Sequence, residues 1–167
     1  MKLLHKSAFI LLCIFAMSNA SWAVSAEPSN ADALHGLVSS KAVFDITTQD
    51  PHKLSFYLDL INKTAMSMKE AGVTPHFVLA FRGPATFLTT TNRDHVKIED
   101  MPTADKIEEQ LTALSRNPDM KLEQCSVAAH ALHVDTKTIY PSVKVIGNSW
   151  VSLIGYQNRG YAIVPVR

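Results

Sequence analysis

The chain has 167 residues, of which 47% are hydrophobic and 19% are charged. This length and composition are typical of one folded domain and exclude a disordered chain or a long coiled coil. The formal net charge is +1, and it becomes negative if the first 26 residues, which carry two lysines and no acid, are removed. Nucleic acid is therefore not an expected partner, because binding to phosphates needs a concentrated positive surface.

The first 26 residues are typical of a cleavable export signal. They begin with Lys2 and Lys6, continue with an apolar run over residues 8–17, and end in small residues that allow cleavage after Ala23 or after Ala26. The apolar run is about half of the roughly 20 residues that a membrane-spanning helix requires. We therefore predict a periplasmic or secreted protein with no membrane contact after cleavage.

Cleavage at either position leaves a single cysteine. Cys13 lies inside the apolar run and is removed, whereas Cys125 lies in the folded part of the chain. Cysteines of exported proteins usually occur in pairs. An unpaired Cys125 therefore indicates a buried inert side chain, a disulfide between subunits, or a thiol with a chemical role.

The rest of the chain alternates between strand and helix patterns. Residues 27–40 have no sustained period and are predicted to be a flexible leader, while residues 41–167 are predicted to form the domain. Apolar runs predict five strands, over residues 41–47, 74–81, 120–124, 143–146 and 161–164. Helices are predicted after Asp50, after Thr103, after Cys125 and from about Ser149. The polar residues 89–102 are predicted to form a surface loop.

This alternation predicts an α/β fold, a three-layer sandwich with a mainly parallel five-stranded sheet. Right-handed crossovers place the carboxyl ends of parallel strands at one edge of the sheet. Residues 47–50, 82–84, 125–126 and 147–149 are therefore expected to face one crevice. This expectation makes Gly83, Ser126 and Asn148 predicted binding residues, beside Cys125 and Arg82 as predicted catalytic residues.

The predicted position of Cys125 favours a reactive thiol. The residue follows a strand and precedes a helix, where unpaired amides and the helix dipole favour negative charge. Arg82, at the end of a neighbouring strand, would favour the same charged form. The alternative is a cysteine that is buried as packing, since cysteine is among the most buried residue types.

Other chemistries have weaker support in the sequence. His130 and His133 are three residues apart and could share a helix face, forming with Cys125 a set of metal ligands. His130, however, lies more than one helical turn beyond Cys125, so we predict no metal and expect histidines at a helix surface or a subunit contact. No Gly-rich phosphate loop, GxSxG motif or CxxC pair occurs, and no cofactor is predicted.

Several segments together resemble the DsrE/DsrF-like family of small sulfur-relay proteins. These segments are KAVFDIT, the helix opened by DPHKL, FVLAFRGPA, KLEQCSVAAHAL and VKVIGNSWVSLIGYQNRGYAIVPV. The similarity runs from about residue 41 to residue 166. Its most specific parts are the cysteine between a strand and a helix, and the pattern in which Gln157, Gly160 and Tyr161 precede the last strand. The resemblance implies a homotrimer or homohexamer, and a cysteine that accepts sulfur as a persulfide, a role that falls on Cys125.

We therefore predict an exported sulfur carrier or sulfurtransferase-like protein with a sulfur-donor or sulfur-acceptor protein as partner. The cytoplasmic partners of known sulfur-relay members do not transfer to a chain with an export signal. One alternative is a non-enzymatic oligomeric module that binds a small molecule and in which Cys125 is packing. Another is a periplasmic metal-binding protein that uses His130 and His133.

Overall fold

A computed structural model describes residues 28–167 of the chain. The predicted export signal over residues 1–26 lies outside this part and stays a prediction. Within the predicted leader, the chain forms a one-turn helix, α1 (Ala31–Leu34). The first strand then begins two residues earlier than predicted, at Ser39.

Five strands form a single sheet in which every neighbouring pair is parallel. They are β1 (Ser39–Ile46), β2 (Thr74–Phe81), β3 (Met120–Cys125), β4 (Lys144–Ile146) and β5 (Ala162–Val166). Their order in the sheet is β4-β3-β2-β1-β5. The predicted α/β fold with a parallel five-stranded sheet is therefore confirmed.

Four longer helices connect these strands: α2 (Pro51–Glu70), α3 (Met101–Ser115), α4 (Ser126–Ala131) and α5 (Ser149–Asn158). Helix α2 begins where the sequence predicts. The Asp50 carboxylate accepts hydrogen bonds from the amides of His52 and Lys53 at 2.9 and 3.1 Å, and Pro51 occupies the first helical position, where no N–H is needed. No helix within residues 28–167 is long and apolar enough to cross a membrane.

The sheet carries helices on both faces, which confirms the three layers. On one face α2 and α3 bury the larger core, where Leu54, Leu58 and Leu111 pack among the inward residues of β1, β2 and β3. On the other face α5 covers a small core formed by Val43, Val78, Ala80 and Leu153. Alternate residues of a strand point to opposite faces, so Cys125, three residues after Leu122, lies on the α5 face.

The prediction of a polar surface loop over residues 89–102 was wrong in part. Thr89 and Thr90 are buried, and the Thr89 hydroxyl donates to the side-chain oxygen of Gln124 at 2.8 Å. This polar segment can be buried because its groups find partners inside the protein. A 3₁₀ turn, Ile98–Asp100, leads directly into α3. Thr103, the predicted N-cap, therefore lies inside the helix rather than before it.

The last strand also differs from its prediction. It runs over Ala162–Val166 rather than 161–164, and it contains Pro165. The carbonyl of Val166 accepts a hydrogen bond from the Thr47 amide at 3.0 Å, so that residue faces β1. Pro165, the residue before, directs its nitrogen to the outer edge, where proline removes no hydrogen bond from the sheet.

Candidate functional site

Cys125 is the last residue of β3 and occupies the N-cap position of α4. Only 3% of its surface is exposed. The first turn of α5 lies beside it, and the backbone amide of Ser149 donates a hydrogen bond to the Cys125 sulfur at 3.3 Å. The sulfur also lies 3.9 Å from the carbonyl oxygen of Gly147, to which the thiol donates. The structure therefore brings together two of the predicted crevice segments.

Opposing effects act on the pKa of the Cys125 thiol. Burial raises this pKa, because it penalises the charged form. Hydrogen bonds from the hydroxyl and amide of Ser149, and from the amides of Ala128 and Val127, lower it, and the net pKa lies below the ordinary value. These donors belong to the first turns of α4 and α5, where backbone N–H groups have no partner within their own helix. The Val127 amide also donates to the Gly147 carbonyl at 3.3 Å, and the Ser149 amide makes the direct hydrogen bond to the sulfur. The surroundings of the sulfur therefore favour the thiolate.

We expect the rate of Cys125 alkylation by iodoacetamide to rise with pH around a midpoint below the value of about 8.5 for a free thiol. The thiolate is the nucleophile, so the rate follows its titration. By linkage, the thiolate stabilises the folded state fully above the unfolded-state pKa, and this contribution is lost as the pH falls through the folded-state pKa. The profile is measured between pH 5 and 10 with Cys125→Ser as the blank. A midpoint at or above that of a free thiol would contradict the prediction.

Two predicted binding residues shape the turns around the thiol. The Ser126 hydroxyl donates to the carbonyl of Gly147 at 2.8 Å and so joins the start of α4 to the turn after β4. The Asn148 side-chain oxygen accepts from the Trp150 amide at 2.9 Å and caps α5. A binding role for Ser126, Asn148 and Gly83 stays a prediction.

Gly83 directly follows Arg82 and starts a 3₁₀ helix, Gly83–Leu88. Its φ of 54° lies in the left-handed region, which glycine adopts without steric cost. The chain can therefore turn sharply at the end of β2.

Arg82 makes its hydrogen bonds to Asp45 rather than to Cys125. The Nε and Nη2 atoms of Arg82 donate to the two Asp45 carboxylate oxygens at 2.6 and 2.7 Å, and Asp45 is only 5% exposed. The pKa of Arg82 is raised, mainly by this hydrogen bond to Asp45 and to a smaller extent by the charge of Cys125. Sequence reasoning missed Asp45, although an acid inside an apolar strand is a recognisable anomaly.

Arg82 and Cys125 are nevertheless neighbours in the sheet. β2 and β3 are paired up to Phe81 and Gln124. Arg82 directly follows β2 and Cys125 is the last residue of β3, so each lies one position beyond this pair. Residues in register on adjacent parallel strands point to the same face and lie about 4.8 Å apart. The predicted proximity of Arg82 to the thiol therefore follows from the register, without a direct contact.

Gln124 fixes the end of β3 from the opposite face. Its side chain is fully buried, and its amide nitrogen donates to the Thr86 hydroxyl at 2.9 Å and to the carbonyl of Cys125 at 3.1 Å. Together with the hydrogen bond from the Thr89 hydroxyl, these bonds fix both the oxygen and the nitrogen of the Gln124 side-chain amide. Sequence reasoning missed this residue, because β3 also contains Lys121 and Glu123, so a further polar residue in this strand is not a distinctive signal.

A second polar pair lies two residues before Cys125 on the same face. The Tyr156 hydroxyl donates to a carboxylate oxygen of Glu123 at 2.6 Å and links α5 to β3. Burial, followed by the hydrogen bond to Glu123, raises the pKa of Tyr156. This pair fixes how α5, and with it the Ser149 amide, lies over the sheet.

The predicted shared helix face of His130 and His133 was wrong. Helix α4 ends at Ala131, and His133 has a φ of 56°, in the left-handed region, so it leaves the direction of the helix. Both histidines are exposed. Among residues 28–167, no three His, Cys, Asp or Glu side chains are grouped so that they could hold a metal ion.

The parallel sheet defines an α/β domain, and a buried free cysteine lies at the carboxyl end of β3. The chain belongs to the DsrE/DsrF-like family, whose sequence profile matches residues 41–166. The resemblance found in the sequence is therefore confirmed.

Two known proteins illustrate this relationship. An uncharacterized protein from Aquifex aeolicus (strain VF5) is 30% identical over 125 residues, which make up 75% of this chain and 55% of that protein. The chain thus spans little more than half of that relative. The solved structure of a protein of unknown function from Methanobacterium thermoautotrophicum superposes with a TM-score of 0.55 at 13% identity, covering 75% of this chain and 98% of that chain. At this identity, the likeness shows the fold alone.

Proposed function

We propose that the protein is an exported sulfur carrier or sulfurtransferase-like protein that accepts sulfur on Cys125 as a persulfide. The observation that carries the proposal is the hydrogen bond of 3.3 Å from the Ser149 amide to the Cys125 sulfur. It stabilises the thiolate that such a reaction needs. Membership of the DsrE/DsrF-like family supports a relation to sulfur relay.

The proposed reaction has two displacement steps at sulfur. In the first, the Cys125 thiolate attacks the outer sulfur of a donor persulfide, a new S–S bond forms on Cys125, and the donor thiolate leaves with the electron pair. In the second, an acceptor thiolate attacks the terminal sulfur, and Cys125 leaves as a thiolate. No external oxidant is required, and the donors that stabilise the Cys125 anion assist both steps.

Mass spectrometry after treatment with polysulfide tests the proposal. We expect added sulfur on Cys125 of the native protein, removable by cyanide, and no such adduct in Cys125→Ser. The persulfide should also pass its sulfur to a small acceptor thiol. A native protein whose Cys125 stays unmodified, while the unfolded protein reacts, would overturn the proposal.

The low exposure of Cys125 supports a second candidate, a non-enzymatic oligomeric module that binds a small molecule. In that case the thiol packs against Ser149 and Gly147 without reacting. Alkylation of Cys125 would then require unfolding, and Cys125→Ala would keep the fold. The same alkylation measurement therefore separates the two functions.

Assembly into a homotrimer or homohexamer belongs to the proposal. Trp150, Val151 and Ile154 are exposed on the outward side of α5, although the inward side of the helix is also apolar. A surface helix that is apolar on both sides is typical of one that is covered in an assembly. Light scattering of the purified protein gives the number of subunits.

Export to the periplasm or the medium rests on the sequence of residues 1–26, and a donor or acceptor protein would be found in that compartment. The N-terminal sequence of the protein recovered from cells tests cleavage. A chain beginning at Val24 or Glu27 would support export.

A further inference from the structure

We propose that Arg82 and Arg167 form an anion-binding subsite beside Cys125, which takes the negatively charged leaving group of a small sulfur donor. Thiosulfate and organic thiosulfonates are donors of this class. The inference rests on the proposed role of Cys125 as sulfur acceptor and names the chemical class of its donor.

The first support is the register of the sheet. The last paired residues of four adjacent strands lie in one line, namely Val166, Ile46, Phe81 and Gln124. The next residue of each strand therefore forms a row at the carboxyl edge, on the face covered by α5: Arg167, Thr47, Arg82 and Cys125. With strands about 4.8 Å apart, this row spans roughly 14 Å. Two arginines and the thiol thus share one edge of one face.

The second support is that the Asp45 carboxylate accepts hydrogen bonds from both arginines. Arg82 uses Nε and Nη2 for its two bonds to Asp45, and Arg167 uses Nη1 to reach the Asp45 carboxylate at 3.3 Å and the Thr47 hydroxyl at 3.0 Å. Within residues 28–167, Nη1 of Arg82 and Nε and Nη2 of Arg167 make no hydrogen bond to protein. Counted over side chains, the two guanidinium groups exceed the one carboxylate by one positive charge, and both groups keep free donors.

The exposure of the two side chains suits a ligand that arrives from solvent. The Arg167 side chain is 62% exposed and that of Arg82 is 24% exposed, while Cys125 lies deeper. An anion can therefore contact Arg167 first and then reach Arg82, next to the thiol. Guanidinium groups suit this role because their planar donors match the oxygens of oxyanions.

The third support is the topology. The chain runs from β1 to β4 in one direction across the sheet and then returns to β5 on the other side of β1. At the carboxyl edge, β3 leads into α4 and β4 leads into α5, and the buried residues Ala129 of α4 and Leu153 of α5 belong to the cores on opposite faces of the sheet. The connections therefore diverge between β3 and β4. Ligands of open α/β sheets bind outside the carboxyl ends of the strands at such a point. Cys125 ends β3 at this point, and Arg82 follows the neighbouring strand β2.

The proposed transfer from thiosulfate is balanced without a further reactant. The Cys125 thiolate attacks the outer sulfur, the S–S bond of the donor breaks, and sulfite leaves with the electron pair. Cys125 then carries a persulfide anion. With an organic thiosulfonate, a sulfinate leaves in the same way. The guanidinium groups stabilise the charge that accumulates on the leaving group.

Charged methanethiosulfonates test the positive charge of the subsite independently of sulfur transfer, because both reagents release methanesulfinate and leave their charged arm on Cys125. We measure the rate constants for the reaction of Cys125 with two reagents, anionic 2-sulfonatoethyl methanethiosulfonate and cationic 2-trimethylammonioethyl methanethiosulfonate. The ratio of the two rate constants is then compared with the same ratio for a small neutral thiol compound. We expect the protein to favour the anionic reagent. We also expect Arg167→Gln to lower the ratio roughly three- to five-fold at low salt, the effect of removing one charge about 10 Å away, because the Arg167 guanidinium lies at Thr47, two strand spacings from Cys125. Salt should reduce the difference.

The matched control is Arg159→Gln, which removes an exposed arginine at the other end of α5 and should leave the ratio unchanged. The rate with neutral iodoacetamide is measured for each variant, because it corrects the comparison for any change in the thiolate fraction. A ratio equal to that of the free thiol, or one unaffected by Arg167→Gln, would overturn the subsite. Persulfide formation from polysulfide would still support the sulfur carrier in that case.

Measurements of sulfur transfer then show which of the two donors the protein uses. Sulfite release from thiosulfate and sulfinate release from an organic thiosulfonate are measured for the wild type and Arg167→Gln. Transfer that is weakened in the variant supports the subsite and shows which source it accepts. No transfer from either donor to a protein that polysulfide does load would overturn the donor class.

Discussion

Replacing Ser149 with proline should slow the alkylation of Cys125 near pH 7 by roughly ten- to a hundred-fold. Proline has no N–H, so the variant loses the amide donor of 3.3 Å to the sulfur together with the serine hydroxyl. A hydrogen bond to a charged group contributes about 1.5 to 3 kcal/mol, which corresponds to roughly one to two pKa units. The midpoint of the alkylation profile should therefore move to higher pH.

The backbone at this position is suited to proline. Ser149 is the first residue of α5, where proline is favoured, and Asn148 before it is already extended, with φ −126° and ψ 118°, as a residue before proline needs. Ser149→Ala is the matched control, because it removes the hydroxyl and keeps the amide. Equal shifts in the two variants would show that the amide does not lower the pKa of the thiol.

Replacing Asp45 with asparagine should lower the free energy of unfolding by about 2 to 4 kcal/mol. The carboxylate is buried and accepts two charged hydrogen bonds from Arg82, so the variant leaves a guanidinium without its counter-charge. Loss of one partner from a fully buried pair costs about 3 to 5 kcal/mol, and the partial exposure of Arg82 reduces this figure. Urea denaturation at neutral pH measures the change.

Two comparisons show whether the cost comes from the unpaired charge. The double variant Asp45→Asn with Arg82→Gln should lose less than the sum of the single variants, because the part-buried Arg82 guanidinium is no longer left without its counter-charge. Asp59→Asn breaks the exposed pair with Lys106 at 3.0 Å and should cost no more than about 1 kcal/mol. A cost for Asp45→Asn as small as that for Asp59→Asn would contradict the expectation.

The fold was predictable because its signals are local. Asp50 and Pro51 mark the start of α2, and the apolar runs give β1 and β2 within two residues of their bounds. The position of Cys125 between β3 and α4 was likewise readable from a few neighbouring residues. The alternation of these elements then implied a parallel sheet.

The composition of the site was less predictable, because it depends on contacts between distant segments. The bond from Arg82 to Asp45 requires the register of two strands 37 residues apart, which an apolar run does not contain. The hydrogen bond from Ser149 to the Cys125 sulfur is donated by a backbone amide, so no residue type in the sequence predicts it. His130 and His133 do not share a helix face, because His133 adopts a left-handed backbone conformation that is more usual for glycine or asparagine.

Pro165 has a consequence for how copies of the protein can associate. Its nitrogen lies on the outer edge of β5 and carries no hydrogen, so a further strand added there would lack a donor in the middle of the ladder. Strand-by-strand growth of the sheet, as in edge-to-edge aggregation, is therefore disfavoured past β5. Copies that assemble on this side must instead bury side-chain surface.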